Sequence, residues 1–153
     1  MGQDFRRKEN RLDTSIYQAK HIYSLTLTCY GEKNRFTDEV VQNNLDILKD
    51  RTEKHDIKIY AYCFMPDHLH LLAEGDELIK FVKEFKQLTG YRYKQKTGEK
   101  LWQKSYYDHI LREGEKVKEV ADYIFKNPVR EGLVEDFLEY PHSGSFEFNK
   151  EDL

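Results

Sequence analysis

The sequence IKIYAYCFMPDHLHLLA, residues 57–73, decides the fold of this chain. Its first part, 57–64, alternates in the way that is typical of a strand with one buried face. A turn at Pro66 follows, and the alternation resumes over 68–73. These residues therefore predict a β-hairpin.

The residues before the hairpin predict a strand and a helix. HIYSLTLTCY at 21–30 is rich in β-branched and aromatic residues and places every second apolar residue on one face. Thr37 then precedes two acidic residues, as an N-cap does, and apolar residues recur at helical spacing. We expect a helix over 38–55.

The residues after the hairpin predict a helix, a strand and a further helix. The first helix opens after Gly75-Asp76 and extends to about residue 93 or 96, the strand covers 105–111, and the last helix ends before Pro128. The order is β-α-β-β-α-β-α. It predicts an α+β fold of the ferredoxin-like, split βαβ kind, with an added C-terminal helix that carries a tyrosine.

Length and composition fit a globular protein of one domain. The chain has 153 residues, of which 39% are hydrophobic and 35% are charged, so it can bury a core and is not disordered as a whole. We divide it into a loose basic arm at 1–15, a domain at 16–144 and an acidic tail at 145–153. Without an apolar membrane span or secretory signal, we expect a cytoplasmic protein with no membrane partner.

The two cysteines, Cys29 and Cys63, both lie in apolar runs. We expect buried thiols, because two isolated cysteines provide neither a disulfide framework nor a cysteine zinc site.

Charge is distributed unevenly along the chain, although the net charge is only −3. Residues 78–130 hold 13 Lys and Arg against 7 Asp and Glu, whereas residues 131–153 hold 1 against 7. Basic residues interleaved with aromatic ones suit a phosphate backbone and unstacked bases. A solvated lysine-rich helix face is the alternative interpretation.

His68 and His70 form the first candidate site. Side chains two residues apart on a strand project to the same face, so both imidazoles can reach one ion. Imidazole suits several divalent transition metals, and two histidines leave positions open for oxygen ligands. The alternative is a pair of exposed histidines on a half-buried strand.

Tyr123 and Asn127 form the second candidate site. At positions i and i+4 of a helix they share one face, so a phenol and an amide oxygen can lie together near an ion. Tyrosine can act as a covalent nucleophile when a metal, a base or a substrate held in line activates it. The alternative is a packing tyrosine and an ordinary helix end before proline.

Four segments together resemble the REP-associated tyrosine transposases and, more distantly, the transposases of the insertion-sequence 200 and 605 type. The segments are MPDHLHLL at 65–72, WQKSYYDHILR at 102–112, YIFKNPVREGLV at 123–134 and YPHSG at 140–144. In this class of single-tyrosine enzymes, two histidines flank a bulky apolar residue, which is Leu69 here. The resemblance covers about residues 22–143.

The resemblance implies an enzyme that cleaves and rejoins single-stranded DNA near hairpins. His68, His70 and Asn127 would bind Mg²⁺ or Mn²⁺, and Tyr123 would attack phosphorus to give a 5′-phosphotyrosine. Two other classes stay open: a domesticated hairpin-binding module without strand transfer, and a metal-dependent nuclease in which water attacks.

The partner implied is single-stranded DNA with a hairpin or palindromic sequence, bound by a monomer or a homodimer. If the arm and the basic block lie along DNA, basic and aromatic side chains provide the contacts. The candidate residues are Arg6, Arg7, Arg11, Lys83, Lys86, Trp102, Lys104, Arg112 and Arg130.

Overall fold

The computed structural model describes residues 21–111 and 116–153. The predicted basic arm at 1–15 lies outside the described residues. So do four of the candidate DNA contacts: Arg6, Arg7, Arg11 and Arg112.

The described residues form five strands and four helices, together with short 3-10 turns. In chain order they are β1 (Ile22–Thr28), α1 (Asp38–His55), β2 (Lys58–Met65), β3 (His68–Glu74), α2 (Leu78–Thr97), β4 (Tyr107–Ile110), α3 (Val117–Phe125), α4 (Asn127–Arg130) and β5 (Ser143–Gly144). The order through α3 is the predicted one, which confirms a sheet combined with helices. The sequence did not predict α4 or β5.

The strands form one antiparallel sheet in the order β4-β1-β3-β2-β5. The predicted hairpin is present as β2 and β3, and β3 occupies the centre of the sheet. A register shift between Ile59 and Ala61 interrupts the alternation of β2, so that Cys63 and Met65 lie beside His70 and His68. We call the side of the sheet that carries the two histidines the histidine face.

The opposite side of the sheet packs against α1 and α2 and contains the larger core. Alternate residues of β1 and β3 are buried there, as the apolar alternation predicts. Each buried Leu or Phe side chain contributes about 1.5–3 kcal/mol to folding. The fully buried members of this core include Tyr23, Leu25, Leu69, Leu71, Phe81 and Phe85.

Helix α1 has the bounds that its capping residues predict. The Oγ1 atom of Thr37 accepts a hydrogen bond from the Val40 backbone N–H at 3.3 Å, which satisfies one free donor of the first turn. Asp56, with φ of 54°, ends the helix in the left-handed conformation, and its N–H is directed to the carbonyls of the last turn.

The histidine face is covered in part by α3. Ala121, Ile124 and Phe125 are buried against Ala61, Cys63, Met65 and Leu72 in a second apolar cluster. Cys29 and Cys63 are both free, buried thiols, as expected.

The predicted acidic tail at 145–153 is in contact with the fold. The backbone N–H of Phe146 donates to the Ile59 carbonyl at 3.0 Å, and its ring packs against the larger core. Lys150 donates to the carbonyl of Tyr140 at 2.7 Å and to Oγ of Ser143 at 2.9 Å. Among the described helices, none is long and apolar enough to cross a membrane.

Candidate active site

His68 and His70 lie side by side on the histidine face. Their ring centroids are 4.8 Å apart and the ring planes meet at 82°. The residue between them, Leu69, is buried on the other side of the sheet, as the two-residue period of a strand requires. The prediction that both imidazoles project to one face is confirmed by this geometry.

Each histidine ring is oriented by an oxygen atom at its Nδ1. Asp67 Oδ1 lies 2.7 Å from Nδ1 of His68, and Thr26 Oγ1 lies 3.2 Å from Nδ1 of His70. With Nδ1 protonated, each ring donates to its oxygen and presents the lone pair of Nε2. Histidines that ligate metals are held in this way, with the other ring nitrogen donating to a carboxylate or another acceptor.

Thr26 is a part of the site that the sequence analysis missed. It lies on β1 directly opposite His70 in the register. The alternation of β1 places Thr26 on the polar side of its strand, but only the pairing of β1 with β3 brings it next to a histidine. Asp67 belongs to the turn that the sequence did predict, where it also orients His68.

The His70 imidazole is neutral at neutral pH. Burial first, and then the electrostatic effects of His68 and Arg130, lower the pKa of His70 from 6.5 to about 3. A neutral imidazole is the form that binds a metal ion.

Tyr123 lies near the end of α3 and keeps its side chain accessible. Its neighbours Ile124 and Phe125 are buried against the sheet, whereas 59% of the Tyr123 surface is exposed. An exposed phenol is open to a large substrate, unlike the buried tyrosines Tyr23 and Tyr140, whose pKa values are raised by burial.

Asn127 and Tyr123 lie on consecutive helical segments and not on one continuous helix. Helix α3 ends at Phe125, and Asn127 begins the short turn α4, in which Pro128 occupies the first turn. Proline has no N–H to donate to the preceding turn, so the α-helix cannot run unchanged through this position. Lys126, between the two segments, keeps right-handed helical φ and ψ of −85° and −1°. That Tyr123 and Asn127 share one face stays a prediction.

The donor set suits a divalent ion with open coordination positions. Within residues 21–111 and 116–153, no group of three or more His, Cys, Asp and Glu side chains is arranged to hold a metal. The two oriented imidazoles can provide two nitrogen ligands. A third protein ligand would have to come from another group, such as the half-buried amide of Asn127.

Arg130 packs directly on the ring of Tyr123. Its Cζ atom lies 3.8 Å from the ring centroid, which is well inside the range of a cation–π contact. The positive charge of Arg130 also acts on His70 and Cys63. Arg130 therefore contacts the tyrosine and is within electrostatic range of the histidine face.

Tyr106, just before β4, and Tyr107, its first residue, project to opposite sides of the sheet. Tyr106 is buried in the larger core, on the side of the sheet that packs against α1 and α2. Tyr107 pairs with Thr26 and is half-buried on the histidine face. Tyr107 thus presents a phenol on the same side of the sheet as the two histidines.

A basic groove runs between α2 and the segment 100–104. We call it the lysine groove; its volume is about 430 Å³, and it lies along the helix that covers the side of the sheet opposite the histidines. Four predicted DNA contacts line it: Lys83, Lys86, Trp102 and Lys104. Lys86 also donates to the carbonyl of Gln103 at 2.8 Å, so it holds the groove wall in place.

Trp102 forms the floor of the lysine groove and is only 8% exposed. Its indole N–H donates to Oγ1 of Thr89 at 2.8 Å. The ring open for stacking in this groove is Tyr91, which is 63% exposed. Gly90, inside α2, lies over the indole: a methyl carbon added there would be 3.6 Å from Cδ1 of Trp102.

Comparison with known proteins finds transposases. A family model described as Transposase IS200 like matches residues 17–127. A protein of Haemophilus influenzae, provisionally named a REP-associated tyrosine transposase, is 25% identical over 138 residues, which cover 80% of this chain and 78% of that protein. The REP-associated tyrosine transposase of Escherichia coli is 29% identical over 94 residues, 56% of this chain and 53% of that protein.

Two solved structures share the fold. One shows a REP-associated tyrosine transposase bound to a REP hairpin; it has a TM-score of 0.66 and 20% sequence identity, and covers 83% of this chain and 78% of that chain. The other is a crystal structure of a provisionally assigned transposase of Deinococcus radiodurans, with a TM-score of 0.53, 25% identity, and coverage of 75% and 92%.

Proposed function

The chain belongs to the family of IS200-like transposases, and on this premise we propose that it cleaves and rejoins single-stranded DNA next to hairpins, through a covalent bond between Tyr123 and a 5′-phosphate. The observation that carries this proposal is the pair His68 and His70. Both rings are turned by oxygen partners so that their Nε2 atoms are available together on the histidine face.

The pair suits a metal-assisted phosphoryl reaction. A divalent ion held there would polarise a phosphate oxygen and offset the negative charge that develops on it. Oxygen ligands from substrate, water and the Asn127 amide suit Mg²⁺ or Mn²⁺, and the two imidazoles shift the preference towards Mn²⁺.

The chemical step is a transesterification. The Tyr123 Oη atom bonds to phosphorus, the bond from phosphorus to the 3′-oxygen breaks, the phenol gives up its proton and the released 3′-oxygen takes one. One phosphoester replaces another and no water is consumed. A second DNA 3′-hydroxyl can therefore reverse the step and join a new strand without an energy source.

The lysine groove is the proposed contact for the DNA backbone. Lys83 and Lys104 are exposed there, and the Tyr91 ring offers a surface on which a base can stack. A family relative of this fold has been solved with a hairpin, which supports a hairpin as the substrate of this chain as well.

An end-labelled hairpin oligonucleotide, incubated with protein and Mn²⁺ and run on a denaturing gel, tests the proposal. The wild-type protein should give a covalent adduct, and Tyr123→Phe should give none while still binding DNA. Tyr107→Phe is the matched control, because it removes a phenol from the same side of the sheet. His68→Ala and His70→Ala should abolish the adduct with little change in melting temperature, since both side chains project from the histidine face and not into the larger core.

The other results identify the competing functions. Cleavage without an adduct would indicate water as the nucleophile. Binding with neither cleavage nor adduct, on every hairpin from the flanking genomic DNA, would indicate a hairpin-binding module. An adduct that persists in Tyr123→Phe but is lost in Tyr107→Phe would move the nucleophile to β4.

A further inference from the structure

The turn that follows Tyr123 brings an arginine back onto its ring. Pro128 is buried in the first turn of α4, and Gly132, with φ of 75°, ends the turn in a conformation that suits glycine. The Leu133 N–H donates to the Pro128 carbonyl at 2.8 Å, and the Glu131 N–H donates to the Asn127 carbonyl at 3.0 Å. The backbone that carries Arg130 is therefore well fixed.

The guanidinium of Arg130 has no carboxylate within 4 Å among the described residues. Arg35 and Arg51, by contrast, are paired with Glu99 and Glu84 at 3.2 Å and 2.9 Å. Exposed ion pairs contribute little to stability, so an exposed arginine without a partner loses little by staying in water. Arg130 instead lies over the ring of the accessible phenol of the proposed nucleophile.

We propose that Arg130 is a positioning residue for Tyr123: its planar guanidinium packs on one face of the ring, restricts the rotation of the ring and directs the hydroxyl for attack. This inference rests on the proposed function. An exposed tyrosine at a helix end has free side-chain rotation, and each misaligned rotamer is unproductive for in-line attack. Holding the reacting group in one orientation lowers the barrier by removing that freedom beforehand.

The proposed contact depends on the planar shape of the guanidinium as well as on its charge. Arginine stacks on an aromatic face through its flat guanidinium, whereas the lysine ammonium is a compact, strongly hydrated point charge. Arg130→Lys therefore keeps the charge and loses the stack. Arg130→Gln loses both.

The rate of adduct formation in a single turnover, at saturating hairpin oligonucleotide and Mn²⁺, separates positioning from binding. Arg130→Gln should lower this rate about 10- to 100-fold. It should leave the dissociation constant for the oligonucleotide within about threefold, because one charge is lost from an interface with several phosphates. Arg130→Lys should restore little of the rate.

Lys126→Gln is the matched control. It removes a positive charge from the same connection, but the Lys126 ammonium pairs with Asp122 and lies over Phe137, away from Tyr123. Its rate should equal that of the wild type. An unchanged rate in Arg130→Gln, an effect confined to the dissociation constant, or full recovery in Arg130→Lys would each overturn the positioning role.

An NMR measurement keeps this inference distinct from the proposed function. Nuclear Overhauser contacts between the Arg130 side-chain methylene protons and the Tyr123 ring protons should be present in the free protein. Their absence in a protein that forms the adduct would overturn the positioning role alone. A wild-type protein that forms no adduct, whatever its NMR contacts, would overturn both proposals.

Discussion

Replacing Gly90 by alanine should stabilise the protein and weaken DNA binding at the same time. Gly90 lies inside α2 with ordinary helical geometry and lines the lysine groove. Glycine in a helix interior is about 1 kcal/mol less favourable than alanine. The backbone here needs no glycine, so the feature that a side chain at this position would change is the lysine groove.

The magnitude follows from the local geometry. The added methyl carbon would lie 3.6 Å from Cδ1 of Trp102, an ordinary van der Waals contact, so no strain offsets the helical gain. A gain of about 1 kcal/mol raises the melting temperature of a domain of about 150 residues by about 2–4 °C. The methyl group would also occupy space in the lysine groove. If it displaces one stacked base, the free energy of DNA binding is reduced by about 1–3 kcal/mol.

Two measurements on the same preparation test this reasoning. Thermal unfolding followed by circular dichroism gives the stability, and fluorescence anisotropy with a labelled hairpin oligonucleotide at fixed salt gives the affinity. Gly98→Ala is the control, since Gly98 has φ of 76° and does not line the groove. Its alanine should lower the melting temperature and leave the affinity unchanged.

The two halves of the prediction fail separately. A lower melting temperature in Gly90→Ala would show that the helix does not accept a methyl group over Trp102. A higher melting temperature with unchanged affinity would show that DNA does not enter the lysine groove.

Three further outcomes are expected. Thr26→Val removes the oxygen that orients His70 and should weaken Mn²⁺ binding about 10- to 100-fold by calorimetry; unchanged affinity would contradict the orienting role. The imidazole of His55, whose Nε2 lies 3.1 Å from Oε1 of Glu84, and a hydrogen bond from Arg51 lower the pKa of Glu84 from 4.5 to about 2, so its contribution to stability is present above pH 4.5 and is lost as the pH falls towards 2. Urea unfolding of Glu84→Gln should then show a smaller loss of stability over that range, and an identical pH profile would refute the linkage. Lys83→Gln should reduce the slope of log affinity against log salt by about 0.7 if it contacts a phosphate of a single strand, and a slope equal to that of the wild type would place this residue away from DNA.

The sequence predicts those parts of the fold that depend on local patterns. The bounds of α1 follow from a capping threonine and helical spacing, and the hairpin at 57–73 follows from alternation around a proline turn. The short strand β5 has only two residues, too few to form a pattern, so it could not be predicted.

In the candidate site, too, the sequence predicts what depends on local pattern and not what depends on long-range contacts. Side chains alternate along a strand, so the sequence alone predicts that the two histidines lie on one face. Thr26 is 44 residues away from His70, and only the strand register unites them. The burial of Trp102 depends on the packing of α2 over β1, and the contact of Arg130 with Tyr123 depends on how the chain turns after Pro128.

The position of β3 in the sheet links the proposed chemistry to folding. The strand that carries both histidines is hydrogen-bonded on its two sides, to β1 and to β2. Backbone amides in such a strand exchange with solvent through large openings of the molecule, at rates set by global stability. Random mutagenesis would therefore find two kinds of inactive variant in β3, those that lose an imidazole and those that unfold. Hydrogen exchange of the β3 amides would tell them apart, since only the unfolding variants would lose protection.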